Sequence, residues 1–476
     1  MPVSATVDAA KGSEEARRSE KRGERASQVL GIAATRFILF PLSMVVGILV
    51  TRQLGPENRG AFAFVSLVTA FGATLFQFGF ANGIRYFVSA GEARAKECSV
   101  TAFLGGAGLG LVGAVLIAIG FANGLLGESA RMLSWKQFGP VIASFPLLTA
   151  SMALSYVLLG DSRFGVTNAV QVGRDLTMLL FLVAGVLLGG LGLSGAIWAL
   201  IASQVLSGAA TVVVVVVFYR PNLAFDLVLS KRSLAYGIRV WLGSLAARSN
   251  DRLDQLLLSL VGTPGQLGLY SVAVRMAELP LMAGTFVTPV LFNRIAATRD
   301  VAERATLAGR IHRLQFFVAG ASILALGLAG KPLVPALYGA AFSSSVPILW
   351  LYLPGIAAAA TQQVLGTVFS GGGRPGLAST TQLVGLLIGL VTLLPLVSWI
   401  GGMGAALGSS LAYCGAAVSA ILLHRRLVGE GVLRHLFRVR GADLRWGASA
   451  LFDGATRLRM TGTAVFARSR GRSGGV

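Results

Sequence analysis

A chain of 476 residues, 54% of them hydrophobic and 13% charged, with a mean hydropathy of +0.72, is too apolar for a soluble domain of this length and reads as a polytopic membrane protein. Its formal net charge of +21 has the size of a nucleic-acid binder's, but the basic residues sit in the flanks of apolar segments, which excludes that class. Cys98 and Cys414 lie in separate contexts and predict neither a disulfide nor a metal site.

In chain order, residues 1–28 carry charges of both signs without apolar periodicity and are expected to form a solvated tail, unstructured or loosely helical, not a cleavable signal. Segments of bilayer-crossing length then recur at 30–51, 60–84, 100–124, 138–160, 169–190 and 195–219, and again at 237–261, 266–292, 313–330, 346–370, 377–400 and 403–424. The class is therefore all-α with twelve spans, since barrel strands would alternate over about ten residues. The expected organisation is a tail at 1–28, six helices within 29–219, a linker at 220–236, six more within 237–424 and a basic tail at 425–476. Of the 41 Lys and Arg, only Arg52, Arg59, Arg131, Lys136 and Lys331 fall on one set of flanks. Arg36, Arg248, Arg252 and Arg275 lie within spans, and all the others share the opposite side with both termini, which the positive-inside rule makes cytoplasmic. In the last tail Leu433, Leu436 and Phe437 alternate with Arg434, Arg438 and Arg440, a pattern suited to an anionic membrane surface or to a simple basic anchor.

The seventh span is the most informative. An ionisable group at the bilayer centre costs about 2.5–3.5 kcal/mol on insertion scales, so such groups face a bundle interior or a wet pathway. Here Ser244, Arg248, Asp251, Arg252, Gln255 and Ser259 share one helical arc, whereas Leu253, Leu256, Leu257 and Leu260 lie outside it. In the eighth span Arg275 and Glu278 are three residues apart and are expected to pair, as are Asp251 and a neighbouring arginine. Such pairs could be purely structural. Yet Arg36, Arg248, Arg252 and Arg275 outnumber Asp251, Asp254 and Glu278, and that excess suits an anion, because the guanidinium fork holds phosphate oxygens through paired charge-assisted bonds.

The two halves also repeat. LGPENRGAFAFVS from Leu54 matches VGTPGQLGLYSVA from Val261 and pairs Gly60 with Gly268; GDSRFGVTNAVQ from Gly160 matches GGGRPGLASTTQ from Gly371; GLSGAIWALIASQ from Gly192 matches GGMGAALGSSLAY from Gly401, pairing Gly195 with Gly404. All three pairs have nearly one spacing. Six spans per copy give both halves the same orientation about an axis along the membrane normal, an arrangement common in transporters, with the site between the halves. Small residues four apart, such as Gly106 and Gly110, predict close helix contacts, and Pro41, Pro280, Pro289, Pro354 and Pro395 predict kinks.

TRQLGPENRGAFAFVSL, NDRLDQLLLSLVGTPGQLGLYSVAVRMAELP, ALYGAAFSSSVPILWLYLPG and IGGMGAALGSSLAY, in this order, resemble the polysaccharide biosynthesis proteins, the Wzx-type lipid-linked oligosaccharide flippases of the MOP superfamily, which also holds MATE exporters and lipid II flippases. The resemblance covers about residues 28–428. It implies two six-helix lobes in a MATE-like arrangement, alternating access, and export of a polyprenyl-pyrophosphate oligosaccharide across the cell (inner or plasma) membrane, with membrane lipids, a polysaccharide polymerase and assembly proteins as partners and no nucleic acid.

On that reading Arg248 and Arg252, with Arg36 and Arg275, are the expected pyrophosphate ligands. Asp251, Asp254 and Glu278 are the candidates for H+ or Na+ coupling, with no cofactor and no bound metal expected. The nearest alternatives are a lipid II-type flippase or a MATE-like drug or ion antiporter, the latter disfavoured by the arginine excess. A membrane glycan polymerase or ligase is the different-class alternative. No enzyme is expected, since the loops on the outer side are short and His312, His424 and His435 all fall on the cytoplasmic side, away from any nucleophile.

Overall fold

The computed structural model describes residues 3–298, 300–429 and Leu436; some side chains within these helices, those of Arg36 and Arg248 among them, lie outside the description. The chain divides into a large unit, Val45–Asp443, and a second made of Met1–Met44 and Leu444–Val476, whose described part is helical from Val3.

The helices are α1 Val3–Phe76, α2 Phe80–Ser89, α3 Ala95–Ala122, α4 Glu128–Arg131, α5 Trp135–Gly160, α6 Phe164–Leu182, which continues as a π turn over Val183–Leu188, and α7 Gly192–Tyr219. They are followed by α8 Leu227–Val261, α9 Pro264–Ala277, α10 Leu279–Ala297, α11 Val301–Tyr338, α12 Ser345–Gly371 and α13 Pro375–Val428.

Eight of the described helical stretches are long and apolar enough to cross a membrane. Two of these contain two crossings each: α1 turns at Gly55 (φ 71°), and α13 turns at Ile400 and Gly401 (φ 57°), conformations that glycine adopts without a Cβ clash. With α8, which carries its charges inside an apolar run, and α9–α10, interrupted at Glu278, the described residues make the twelve expected crossings at close to the expected bounds. Two starts differ clearly: residues 227–236, expected in the linker, are the first turns of α8, and α11 begins at Val301 although its span was expected from residue 313.

Breaks inside an apolar bundle expose backbone groups that need partners. Between α1 and α2, Phe78 and Gly79 have positive φ (44° and 72°). There Gln77 Nε2 donates to Thr149 O at 2.9 Å, and Trp241 Nε1 donates to Thr74 O at 2.9 Å. Between α9 and α10, Pro280 lacks the N–H that would continue the ladder, and the chain re-aims at Glu278.

One glycine pair matched by the internal repeat, Gly60 and Gly268, meets at the seam between the halves, whereas Gly195 and Gly404 pack within their own halves. A Cβ on Gly60 would overlap the carbonyl oxygen of Pro264, and one on Gly268 would overlap that of Pro56, with the two glycine contacts mirroring each other. Further along the seam Gly79 and Gly237 touch backbone to backbone, and Gly83 lies on Ser233. The first turns of α8 thus pack on the first half. Tyr236 stacks on Tyr86 at 4.2 Å, and Arg232 pairs with Glu92 at 2.7 Å while covering the Phe87 ring. The later turns of α8 belong to the second half, packing along α13.

Candidate functional site: buried carboxylate and seam arginines

Two polar constellations stand out. The first lies inside the second half. Asp254 of α8 is 2% exposed, and its Oδ2 accepts from the Tyr270 hydroxyl of α9 and from Ser409 Oγ of α13 at 2.8 Å. Oδ1 accepts from the Gln255 backbone N–H at 2.6 Å. Tyr352 of α12 stands edge-on to Tyr270 with ring centroids 6.1 Å apart, and its hydroxyl lies 3.3 Å from that of Tyr413. A carboxylate whose oxygens meet hydroxyl oxygens in an apolar bundle can exchange a proton or, with those hydroxyls, offer the oxygen ligands a hard cation takes. Among the described residues no group of three or more His, Cys, Asp or Glu is placed to hold a metal ion.

The second constellation is cationic. Arg252, next to Asp251 in the chain and within electrostatic reach of Asp254, has its Nη1 3.4 Å from Glu278 Oε1, with both side chains over a third exposed. This corrects the expected pairing of Arg275 with Glu278. Glu278 keeps helical backbone angles (φ −74°, ψ −14°) at the end of α9 and stays within electrostatic reach of Arg275, but its carboxylate oxygen meets Arg252 on α8. Arg275 turns to α1, its guanidinium against Gly47, and it lies within electrostatic reach of Arg59 and Tyr338. Asp251 is exposed and takes part in contacts of its own.

Arg59 was not expected here. Assigned by sequence to an outer flank, it stands one turn past Gly55 inside the second crossing, over the Phe62 ring, with a buried Nε that has no hydrogen-bond partner. The only signal for it in the sequence is its place just before Gly60, the repeat-matched contact residue. Tyr270, Ser409, Tyr352 and Tyr413 also escaped the sequence reading, because a tyrosine or serine in an apolar helix looks like ordinary core.

Of the predicted residues, the structure thus brings together Arg252 with Glu278, buries Asp254 within electrostatic reach of both, and sets Arg275 within reach of Arg59. The side chains of Arg36 and Arg248 lie outside the description. At one end of the seam Glu57, Glu128, Arg131, Thr263 and Gly265 line a polar groove of about 540 Å³, and Arg131 and Glu128 form an ion pair at 2.5 Å.

Comparison with known proteins places this geometry. The family described as polysaccharide biosynthesis protein matches residues 49–347. The lipopolysaccharide biosynthesis protein WzxC of Escherichia coli (strain K12) is 24% identical over 340 residues, which span 67% of this chain and 64% of that protein's length. Among solved structures, the lipid II flippase MurJ in an inward closed conformation superposes with a TM-score of 0.71 at 13% identity, covering 83% of this chain and 87% of that one. An inward-facing MATE multidrug transporter of the MOP superfamily gives 0.65 at 15% identity, covering 81% and 94%. These likenesses are of fold. The chain belongs to the polysaccharide biosynthesis protein family and is a multi-pass, all-helical membrane protein with the fold of the MOP superfamily.

Proposed function

We propose that this protein is a flippase that carries a polyprenyl-pyrophosphate-linked oligosaccharide from the cytoplasmic to the outer leaflet of the cell membrane by alternating access, with both termini cytoplasmic and without catalysing a covalent step. The observation that carries the reading is the pair Arg59 and Arg275 on facing crossings of the two halves, neither of them in an ion pair with a carboxylate among the described residues. Moving a pyrophosphate and sugar hydroxyls through hydrocarbon unaided would strip every polar group of its partners. Guanidinium groups at the seam replace water on the phosphate oxygens while the polyprenyl chain stays in lipid. Arg252, half-neutralised by Glu278, joins them from the set the sequence assigned.

Asp254 takes the coupling role, as an H+ or Na+ site, because it is the fully buried carboxylate; Asp251 and Glu278 are too exposed to compete. The family and the flippase relatives support the substrate class, and the arginine excess supports an anionic headgroup over a cationic drug.

The test uses proteoliposomes carrying a polyprenyl-pyrophosphate oligosaccharide in one leaflet and follows its arrival in the other. Arg59→Ala and Arg275→Ala are expected to slow transport by about tenfold to a hundredfold, the worth of one charge-assisted contact. Wild-type rates in both would remove these arginines from the site, and a folded wild-type protein that moves no lipid would sink the flippase reading itself.

A further inference from the structure

α11 and α12 are successive crossings, each long and apolar enough to span a membrane, and the packing between them is incomplete. A groove of about 320 Å³ separates them, walled by Ile323, Leu324 and Leu328 on α11 and by Trp350, Pro354 and Ala357 on α12. The space is open because α11 places glycine there. A Cβ on Gly327 would meet nothing nearer than Leu353 Cδ1 at 4.0 Å, and one on Gly320, two turns away, would meet nothing within 4 Å. Leu324 and Leu328 are 63% and 75% exposed, so the groove opens away from the helix bundle, toward lipid. The Trp350 indole N–H donates into the wall itself, to Gly327 O at 3.0 Å, and leaves the lining without a spare side-chain donor. Such a slot accepts an apolar chain and nothing else.

Lys331 decides which chain. It stands four residues past Gly327 and seven past Leu324, on the same face of α11 and about 6 Å beyond the glycine. The Trp350 indole reaches that level too, since a Cβ on Gly330 would lie 3.7 Å from its Nε1. A lysine and a tryptophan together near the end of a span mark the depth of the lipid headgroups. Lys331 is exposed and in no ion pair among the described residues. Its neighbours cannot supply one, because no Asp or Glu occurs between Glu303 and Glu430, a stretch that holds all of α12 and α13 and the rest of α11. The face is that of the α1 turn at Gly55, as Gly339, just past α11, lies against Arg52.

We propose that the α11–α12 groove binds one anionic phospholipid of the leaflet on that face, with a chain in the slot and the headgroup phosphate on Lys331. One ammonium at the mouth matches one singly charged phosphodiester, and the apolar lining begins directly beneath it. The chain fills the gap that the glycines leave and joins α11 to α12. This lipid is a fixed part of the second half and not the cargo, so the site stands whether or not the protein moves a pyrophosphate lipid along the seam.

The experiment reads the fluorescence of Trp350, taken as the difference between the full-length protein and its Trp350→Phe variant, in phosphatidylcholine bilayers containing lipid with brominated chains, which quench an indole on contact. Brominated phosphatidylglycerol is expected to reach Trp350 with about fivefold higher affinity than brominated phosphatidylcholine, the worth of one lysine beside an anionic headgroup. Lys331→Gln should bring the two lipids to parity without changing the quenching by phosphatidylcholine. Gly327→Leu, whose side chain enters the open slot, should also bring them to parity although Lys331 remains, and Ala357→Leu should do the same from the other wall. Parity in the parent protein overturns the site. A preference that survives Lys331→Gln overturns the headgroup contact, and one that survives both slot-filling variants overturns the groove, leaving a surface charge only. The local reporter keeps lipid bound at the distant basic flanks out of the reading.

Discussion

The two halves share a fold and a run of matched glycines, yet their interiors are built differently. The first half is packed with Phe80, Phe138 and Phe145, and its buried hydroxyls mostly bond back to their own helix: Thr69 to Val65 O at 3.0 Å, Thr149 to Phe145 O at 2.8 Å, Thr211 to Ser207 O at 2.8 Å. Its cross-helix bonds are fewer among the described residues and include Gln77 to Thr149 O, Gln137 to Ser194 and Ser203 to the Met178 sulfur. The second half ties helix to helix in its middle, through Asp254 with Tyr270 and Ser409, Gln315 with Gln363 at 2.8 Å, and Ser410 with Leu351 O at 2.6 Å. A back-bonded hydroxyl satisfies itself and fixes nothing, whereas a cross-helix bond in an apolar medium fixes register and makes each partner depend on the other. The first half is thus a scaffold, and the second carries the one fully buried carboxylate among the described residues.

The sharpest contrast comes from deleting one member of each kind. Asp254→Ala leaves the buried hydroxyls of Tyr270 and Ser409 with only each other, 3.4 Å apart, at a cost of about 1–3 kcal/mol, and should remove transport altogether if the carboxylate couples it. Thr149→Ala removes a hydroxyl that served only its own helix and should cost under about 1 kcal/mol. Thermal unfolding in one detergent measures both. Equal losses would erase the distinction between the halves.

The next effect probes what the halves share. Gly60→Ala places a methyl on the Pro264 carbonyl and Gly268→Ala places one on that of Pro56, and overpacking of this kind costs about 1–3 kcal/mol. Because the contacts mirror one another, the two variants should match in unfolding midpoint. The double variant should lose less than the sum, since the first methyl already parts the seam. Unequal single losses would mean that the repeat has drifted at its own contact point.

This seam was legible in the sequence because a repeat of glycines leaves a literal trace, and the crossings were legible because length and apolarity are local properties. Asp254 was legible as a charge in a span, but not its partners, as Ser409 lies 155 residues away on α13 and nothing in one chain's letters links the two. The ion pair was misassigned because spacing along one helix puts Arg275 and Glu278 within reach of each other but says nothing of Arg252, which α8 brings to 3.4 Å from Glu278 across the helix contact. Arg59 was passed over as a site residue because Gly55, which looks like the middle of a loop, is a single-residue turn with helix on either side.

Seam arginines provide a finer division within the second constellation. Arg252 is already held by Glu278, so Arg252→Ala trades one exposed pair for a freed carboxylate and should alter folding stability by no more than about 1 kcal/mol. Its effect on transport should be smaller than that of Arg59→Ala, whose buried Nε has no protein partner to lose. A larger transport loss in Arg252→Ala would move the anion site from the α1–α9 contact to α8.

The smallest expected effect tests how far the polar network of the second half extends. Tyr352→Phe removes a hydroxyl 3.3 Å from that of Tyr413 and keeps the ring edge-on to Tyr270. If the two tyrosines are only packed neighbours, the change should cost about 0.5–1 kcal/mol, and Tyr413→Phe should cost the same with no coupling in the double variant. If instead the hydroxyls continue the chain that begins at Asp254, polarisation along it makes the double variant's loss differ from the sum, and Tyr352→Phe should lower transport as well as stability. An unfolding cycle over the four proteins separates these outcomes. A coupled result would carry the ionisable machinery from α8 through α9 and α12 to α13, so that a proton or cation at Asp254 would be felt by every helix that separates this half from the first.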